Sequence, residues 1–293
     1  MSVYNYPLFI VKPLAYIAKL MPKTILNIRY FAHHKQFINW AKPRNLHEYA
    51  LSLLFHSKTD LNTYARLADK LAVRDFVTQR IGEKYLTKLY GVYQDAGEIV
   101  IEDLPNSFVL KTNHGCGNNV VVKNKSNFDY QSSRKLLNYW MHFPYGNLTG
   151  QIHYSRIKPQ IFAEEYLQQT TENDTLPYDY KFFCINGEPK YILYYEGRKV
   201  NQHETPNMLF DLEWTPQVDS VLRPTLREIP KPVSLEEMIS CARTLSAGFK
   251  FVRVDFYEID GRPVFGEMTF TPDILANIKT TFTDLMIDFN ENK

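Results

Sequence analysis

The 293-residue chain has little of what marks several protein classes. Its three cysteines, Cys116, Cys184 and Cys241, form no C-x-x-C pair and cannot all be bridged, which favours a reducing compartment. The eight histidines show no H-E-x-x-H spacing, so no zinc site is expected. No uncharged apolar run reaches the roughly 18 residues of a membrane span. The first residues lack the early positive charge of a signal peptide, and the sequence predicts a cytoplasmic protein.

Acidic residues are missing from the chain before Glu48, where the formal charge is +7. The basic residues there are Lys12, Lys19, Lys23, Arg29, Lys35, Lys42 and Arg44. No nucleic-acid reading motif accompanies them. Apolar residues lie between the lysines, so peripheral contact with anionic lipid at the inner face of the membrane is one interpretation. The other is an amphipathic helix packed on its own domain.

The order of periodic segments indicates an α+β protein. Residues 1–57 have helical spacing interrupted by prolines, and a further helix is expected after Asp60. Short β-rich runs follow, and one of them is predicted at 99–101. The polar, proline-rich stretch 198–232 is predicted to be a loop. Because helices and strands do not alternate regularly, largely antiparallel sheets are favoured.

The segment 108–123, FVLKTNHGCGNNVVVK, predicts two strands around a glycine-rich loop. Gly115 and Gly117 would let backbone N–H groups approach a phosphate, and Lys111 would add its ammonium. Glycine and asparagine are also ordinary turn residues, so a plain hairpin remains the alternative.

A second segment, 251–272, places carboxylates on apolar strands. Alternation puts Arg253 and Asp255 on one face of the first strand, and Glu267 and Thr269 on one face of the second. Buried carboxylates need a cation, and hard oxygen ligands suit Mg²⁺ held by phosphates. The alternative is a salt bridge of Arg253 with one of the acids.

Asp255 and Glu267 can share one cation only if they lie opposite each other. A regular hairpin with a two-residue turn at Asp260 and Gly261 would pair Asp255 with Gly266 and turn Glu267 to the far face. We therefore expect a three-residue turn in its place, or a bulge at Gly266, with the carboxylates within about 6 Å.

A third segment joins an acidic strand end, IFAEEYL at 161–167, to a strand carrying Asp179 and Lys181. The latter two residues have the spacing of an exposed ion pair. In their order, the three segments resemble the ATP-grasp superfamily, and most closely its TupA-like branch, associated with teichuronopeptide and other surface-polysaccharide synthesis. The similarity extends over about residues 44–275 and includes ADKLAVRDFV at 68–77, DYKFFCING at 179–187, and VRVDFY with FGEMTFTP after 251.

This resemblance implies an ATP-grasp fold of two α+β lobes with largely antiparallel sheets. A helical N-terminal segment would cover 1–69, the lid lobe 70–163 and the metal-binding lobe 164–293. Lys70, Lys111, Gly115 and Gly117 match the ATP-phosphate positions; Glu164 and the backbone of Tyr166 and Leu167 match the adenine region, and Asp179 a ribose- or substrate-contacting acid. Asp255 and Glu267, with Thr269, match the Mg²⁺ ligands, and Arg253 and Lys181 are the candidate catalytic residues.

The implied reaction is the ATP-dependent joining of a carboxylate to an amine through an acyl-phosphate. The branch implies a uronic-acid carboxylate on a surface glycan or its precursor, with an amino acid or other amine as acceptor. Thr269 stands where many relatives have asparagine, and no glycine follows Pro272. These departures leave a catalytically silent ATP-binding protein as one alternative. A glycosyltransferase of the same pathway is the other, although its D-x-D motif is not found near a strand.

Overall fold

The computed structural model describes residues 6–56, 58–168, 177–196, 206–217 and 228–272. Its contacts divide the chain into two compact units. Unit 1 comprises residues 1–38, 58–73 and 87–166, and unit 2 comprises 39–57, 74–86 and 167–293. The predicted division into 1–69, 70–163 and 164–293 stays a prediction. The first helices belong to the same unit as residues 87–166, and residues 74–86 belong with the C-terminal half.

The described elements include eight α-helices and nine strands, besides short 3₁₀ turns. The helices are α1 Leu8–Leu20, α2 Pro22–His34, α3 Leu46–Leu53, α4 Leu61–Ala68, α5 Val73–Arg80, α6 Tyr130–His142, α7 Tyr145–Thr149 and α8 Leu235–Ser246. The strands are β1 Leu89–Tyr93, β2 Phe108–Thr112, β3 Asn119–Val122, β4 Ile161–Glu165, β5 Asp179–Ile185, β6 Glu188–Tyr195, β7 Asn207–Phe210, β8 Phe251–Ile259 and β9 Arg262–Thr269.

Unit 1 contains a four-stranded antiparallel sheet in the order β1-β4-β2-β3. Phe108, Leu110 and Ala163 face a core that also takes Leu137 and Trp140 of α6. The strand predicted at 99–101 is wrong. Ile99 lies between two short 3₁₀ turns, the first capped by the Asp95 carboxylate, and enters the same core from irregular backbone.

Unit 2 contains a five-stranded antiparallel sheet in the order β7-β6-β5-β8-β9. Alternation places residues 179, 181, 183 and 185 of β5 on one face. At one end of that face, Phe183 and Ile185 pack against Leu46 and Leu53 of α3. Its other end carries Asp179 and Lys181, so an apolar core supports the charged residues directly.

The predicted loop at 198–232 is partly wrong, because β7 lies within it. Leu209 and Phe210 of β7 are buried and pair with Leu193 and Ile192 of β6. Residues 198–205 and 218–227 of that prediction lie outside the described part of the chain. Burial at a sheet edge outweighs the polar, proline-rich surroundings here.

Candidate functional site

In unit 1, strands β2 and β4 bring Lys111 and Glu164 together. Val109 pairs with Glu164, so Lys111 is the next residue on the same face of β2. The Lys111 ammonium forms an ion pair with Glu164 Oε1. The hydroxyl of Thr87 donates to Glu164 Oε2 at 2.6 Å. We call Lys111 and Glu164 the unit 1 pair. The Glu164 carboxylate contacts both Lys111 and Thr87, and the sequence did not indicate Thr87.

The glycine-rich loop is the connection of the β2–β3 hairpin, because Lys111 pairs with Asn119. Gly115 and Gly117 have φ angles of 80° and 76°, in the left-handed region that favours glycine. Within the loop, the Asn118 amide donates to the Thr112 hydroxyl at 3.0 Å. The loop is therefore a defined turn with two glycines in the left-handed region, and its phosphate-binding role stays a prediction.

Lys70 lies against this loop although 45 residues separate it from Gly115. Its ammonium donates to the Gly115 carbonyl at 2.9 Å, and its backbone N–H donates to the Asn113 carbonyl at 3.0 Å. The Asn113 amide in turn donates to the Asp69 carboxylate at 3.0 Å. The structure thus brings Lys70 together with the predicted phosphate loop, and adds Asp69 as a residue that fixes the junction.

His114 is a loop residue that sequence reasoning did not single out. Burial, with the nearby Lys70 charge, lowers the pKa of His114 to about 4. The imidazole is consequently neutral at pH 7. Its place in the quoted loop segment was the only sequence signal, and burial could not be read from that segment.

Tyr166 and Leu167 directly follow β4 and are half-buried. They are the residues at which unit 1 ends and unit 2 resumes along the chain. Their predicted backbone role toward adenine stays a prediction.

In unit 2, Asp179 and Lys181 are buried, which contradicts the exposed ion pair suggested by their spacing. Lys181 pairs across the sheet with Asp255 of β8. Its ammonium lies 2.7 Å from Asp179 Oδ2 and 2.5 Å from Asp255 Oδ2. One cation therefore joins two carboxylates on adjacent strands.

The β8–β9 hairpin reaches the expected alignment through a bulge. The two-residue turn at Asp260 and Gly261 does form, with φ of 50° and 71°, so its predicted replacement is wrong. The register then shifts by one residue between Asp255 and Phe256, leaving Gly266 as the extra residue. Asp255 consequently pairs with Glu267, as the bulge alternative predicts. A Cβ at Gly266 would lie only 3.1 Å from the Asp255 carbonyl oxygen, which explains glycine there.

Three oxygen atoms converge on one nitrogen, Nη2, of the Arg253 guanidinium. Its Nη2 donates to Asp255 Oδ2 at 2.6 Å, to Glu267 Oε1 at 2.9 Å and to Thr269 Oγ1 at 3.1 Å. Because both acids lie this close to one nitrogen, their oxygens are within about 6 Å of each other, as predicted. We call Asp179, Lys181, Arg253, Asp255 and Glu267 the charged cluster of unit 2.

This cluster carries three carboxylates and two cations, so its formal charge is −1. Burial raises the pKa of Asp255, against the opposing effect of Arg253 and Lys181. The pKa of Arg253 is raised because Asp255 and Glu267 outweigh the effect of burial. The salt bridge considered from sequence thus exists, and it joins Arg253 to both acids rather than one.

The donor set fits Mg²⁺ in its chemistry. Asp255, Glu267 and Thr269 supply only oxygen atoms, and these already surround one positive group. Within the described ranges, no three His, Cys, Asp or Glu side chains are grouped as a metal site would need. Two carboxylates are nevertheless what Mg²⁺ commonly takes from a protein when phosphates supply further oxygens.

The two sheets, with the lysine–glycine loop on one and the facing carboxylates on the other, have the α+β architecture of the ATP-grasp fold. The chain belongs to the TupA-like ATPgrasp family, whose model matches residues 50–289. Both the predicted family and the predicted fold class are confirmed. None of the curated proteins matches the chain significantly. No helix in the described part of the chain is long and apolar enough to cross a membrane.

Similar solved structures include three ligases. D-alanine–D-alanine ligase from Bacillus anthracis, complexed with ATP, is 14% identical over 77% of this chain and 61% of that chain, with a TM-score of 0.43. L-amino acid ligase from Bacillus licheniformis is 12% identical over 91% and 56%, with a TM-score of 0.49. Phosphoribosylamine–glycine ligase from Thermotoga maritima is 13% identical over 77% and 54%, with a TM-score of 0.47. The chain spans 54% to 61% of the length of these ligases.

Proposed function

We propose that the protein is an ATP-dependent carboxylate–amine ligase that forms an amide through an acyl-phosphate. The observation that carries this proposal is the pairing of Asp255 with Glu267 around Arg253, achieved by a one-residue bulge at Gly266. A hairpin without the bulge would be simpler to build, and it would separate the two acids. Membership of the ATP-grasp family supports ATP as the nucleotide that binds. The paired acids support binding of a metal ion that contacts the phosphates of this nucleotide.

The groups of unit 1 would bind the nucleotide. Lys70 and Lys111 would neutralise phosphate charge, while the loop around Gly115 and Gly117 would offer backbone N–H groups. Glu164, oriented by Thr87, would act with the backbone of Tyr166 and Leu167 toward adenine. In this assignment, the Lys111–Glu164 contact fixes both side chains for nucleotide binding.

The groups of unit 2 would handle the reacting phosphate. Asp255 and Glu267, with the Thr269 hydroxyl, would hold Mg²⁺, which supplies charge neutralisation on the phosphates. Arg253 and Lys181 would orient the phosphoryl oxygens and the substrate carboxylate, and Asp179 would position Lys181 or contact ribose or substrate.

The reaction balances without a covalent enzyme intermediate. A substrate carboxylate oxygen forms a bond to the terminal phosphorus of ATP while the bridging oxygen leaves with ADP. The amine nitrogen then bonds to the acyl carbon, inorganic phosphate leaves, and the nitrogen loses a proton. The family's association with surface polysaccharide supports a uronic acid on a glycan or its precursor as the carboxylate, and an amino acid or other amine as acceptor.

Nucleotide binding is tested by thermal unfolding with and without Mg-ATP. Bound ligand raises the free energy of unfolding by mass action, so the wild type should gain several degrees at saturating Mg-ATP. Lys111→Ala should lose this gain because it removes a phosphate contact. Lys88→Ala, an exposed lysine of the same unit, is the matched control and should keep it. Equal stabilisation of Lys111→Ala and wild type would refute the phosphate assignment.

The ligase step is tested by ADP release with pairs of uronic acids and amines. Release that requires both a carboxylate and an amine, and that Glu267→Gln reduces by at least about a hundredfold, would support the proposal. Binding of ATP without release for any pair would favour a silent nucleotide-binding protein. Turnover of a sugar nucleotide would favour a glycosyltransferase.

A further inference from the structure

Helix α1 presents its large side chains to the outside of the protein. Its buried residues are small or medium: Val11, Ala15 and Ala18. The exposed fractions of Phe9 and Leu20 are 77% and 71%. A helix of a globular protein usually has the opposite arrangement, with its apolar stripe toward the core. The apolar face of α1 is therefore available for something outside unit 1.

The exposed apolar residues of α1 form one uninterrupted face of the helix. At 3.6 residues per turn, its members occupy an arc of about 160°. They are Phe9, Ile10, Pro13, Leu14, Tyr16, Ile17 and Leu20. The exposed Lys12 and Lys19 lie together on one flank of this arc. This distribution is typical of helices that lie in the plane of a membrane surface.

Helix α2 extends the same kind of surface. Ile28 and Phe31 of α2 are 59% and 42% exposed, and Phe37 beyond it is 63% exposed. Of the sixteen large hydrophobic side chains exposed in the described part of the chain, eleven lie between Tyr6 and Phe37. We call these eleven the N-terminal apolar face. Such a concentration is larger than scattered exposure explains and marks an interaction surface.

The helices that carry the N-terminal apolar face are fixed to unit 1. Arg29 donates to the Thr149 carbonyl at 2.6 Å, and Leu26 of α2 lies against Gly150. Tyr139 of α6 donates to the Tyr6 carbonyl at 2.7 Å. Helices α1 and α2 are therefore already packed against the rest of unit 1. Their outward apolar residues are not a core-facing surface that has lost its place in the fold.

Charge identifies the occupant. Between Tyr6 and Phe37 the chain has no acidic residue and five basic ones, which are Lys12, Lys19, Lys23, Arg29 and Lys35. A second copy of the chain would bring two such positive surfaces together, whereas anionic lipid complements them. Helix α1 has 13 residues, about 20 Å, too short to cross a hydrocarbon core of about 30 Å.

We propose that the N-terminal apolar face docks on an anionic lipid bilayer, with the apolar side chains in the headgroup and acyl boundary and the lysines at the headgroups. The proposal does not depend on the ligase reaction. It extends the sequence expectation of lipid contact: α1 packs on its own unit through Val11, Ala15 and Ala18, and its large apolar side chains form a second, outward face.

The test is flotation of the full chain with phosphatidylcholine vesicles that contain about 30% phosphatidylglycerol, or none. The wild type should float with the anionic vesicles at about 50 mM salt and be largely released at about 500 mM. The double variant Phe9→Ser, Ile17→Ser should bind at least about tenfold more weakly because it loses inserted apolar area. The matched control Val100→Ser, Val233→Ser removes two other exposed apolar side chains and should bind as the wild type does.

Charge is tested separately with Lys12→Glu, Lys19→Glu, which should abolish flotation. The control Lys135→Glu, Lys158→Glu makes the same change in net charge at exposed lysines outside the N-terminal apolar face and should retain most binding. Equal binding to neutral and anionic vesicles would overturn the proposal, as would unchanged binding of the Phe9, Ile17 variant. A wild type that ignores vesicles but sediments as a dimer, which the Phe9, Ile17 variant dissociates, would also overturn it.

Discussion

The unit 1 pair and the charged cluster of unit 2 differ in charge balance. The unit 1 pair has one cation, Lys111, for one anion, Glu164, and the Thr87 hydroxyl completes the acid. The charged cluster of unit 2 has three carboxylates for two cations, spread over three strands. Lys111 also keeps 23% of its side-chain surface exposed, against 9% for Arg253. The charges of the unit 1 pair cancel, whereas the charged cluster keeps a net negative charge, so we expect the cluster to depend more on each cation that it has.

The largest expected effect tests that dependence. Arg253→Met leaves the buried Asp255 and the partly exposed Glu267 facing each other without their shared guanidinium. We expect the free energy of unfolding to fall by about 3–5 kcal/mol, because removing one partner strands a buried charge. Urea denaturation monitored by circular dichroism measures it.

The matched control is Arg243→Met, which removes an exposed ion pair with Glu188 in the same unit. Here the loss should stay below about 1 kcal/mol. If Arg253→Met cost no more than Arg243→Met, the cluster would not depend on its arginine, and the contrast with the unit 1 pair would collapse.

How far the sequence predicts this site depends on sequence distance. Strand alternation identifies Asp255, Glu267 and Arg253, since each lies within a single hairpin of strongly apolar strands. The turn was the error: the Asp260–Gly261 signal is obeyed, and the correction comes from Gly266 instead. The Asp260–Gly261 turn keeps its preferred two residues, and the bulge at Gly266 then shifts the register so that the two acids pair.

Contacts between distant segments could not be predicted in the same way. Thr87 meets Glu164 across 77 residues, and Asp69 meets Asn113 across 44. Their residue types are common and their local spacing carries no signal. The resemblance to a family indicated Lys70 and Lys111, but the polar residues that hold their surroundings in place follow only from the folded chain.

An effect of intermediate size concerns the loss of stability at acidic pH, which we attribute to two buried histidines of unit 1. Burial lowers the pKa of His153 to about 3, and burial with Lys70 lowers that of His114 to about 4. Unfolded histidine titrates near 6.5, so below that pH the unfolded state binds more protons. The free energy of unfolding should therefore fall as pH drops from about 6.5, by at most about 1.4 kcal/mol per pH unit for each histidine.

The measurement is urea denaturation at pH 7 and pH 5. His153→Phe, which suits the neighbouring Tyr64 and Tyr154 rings, should lose less stability between the two pH values than the wild type. His142→Phe, at an exposed position on α6, is the control. An identical pH dependence in wild type and His153→Phe would show that His153 does not contribute to the loss of stability at low pH.

The smallest expected effect returns to the unit 1 pair itself. Glu164→Gln keeps the shape of the side chain and lets its amide oxygen still accept from Thr87. The amide nitrogen then faces Lys111 in place of Oε1, so the variant removes the charge and the acceptor of that ammonium, which can turn to water because the Lys111 side chain is partly exposed. We expect a loss of about 1 kcal/mol, since a partly exposed ammonium that loses its partner can be hydrated at small cost in free energy. The loss should be compared with that of Arg253→Met under identical urea conditions. A loss of about 3 kcal/mol or more for Glu164→Gln would mean that the unit 1 pair depends on complete pairing as much as the charged cluster does. Charge balance would then not be the property that distinguishes the two sites.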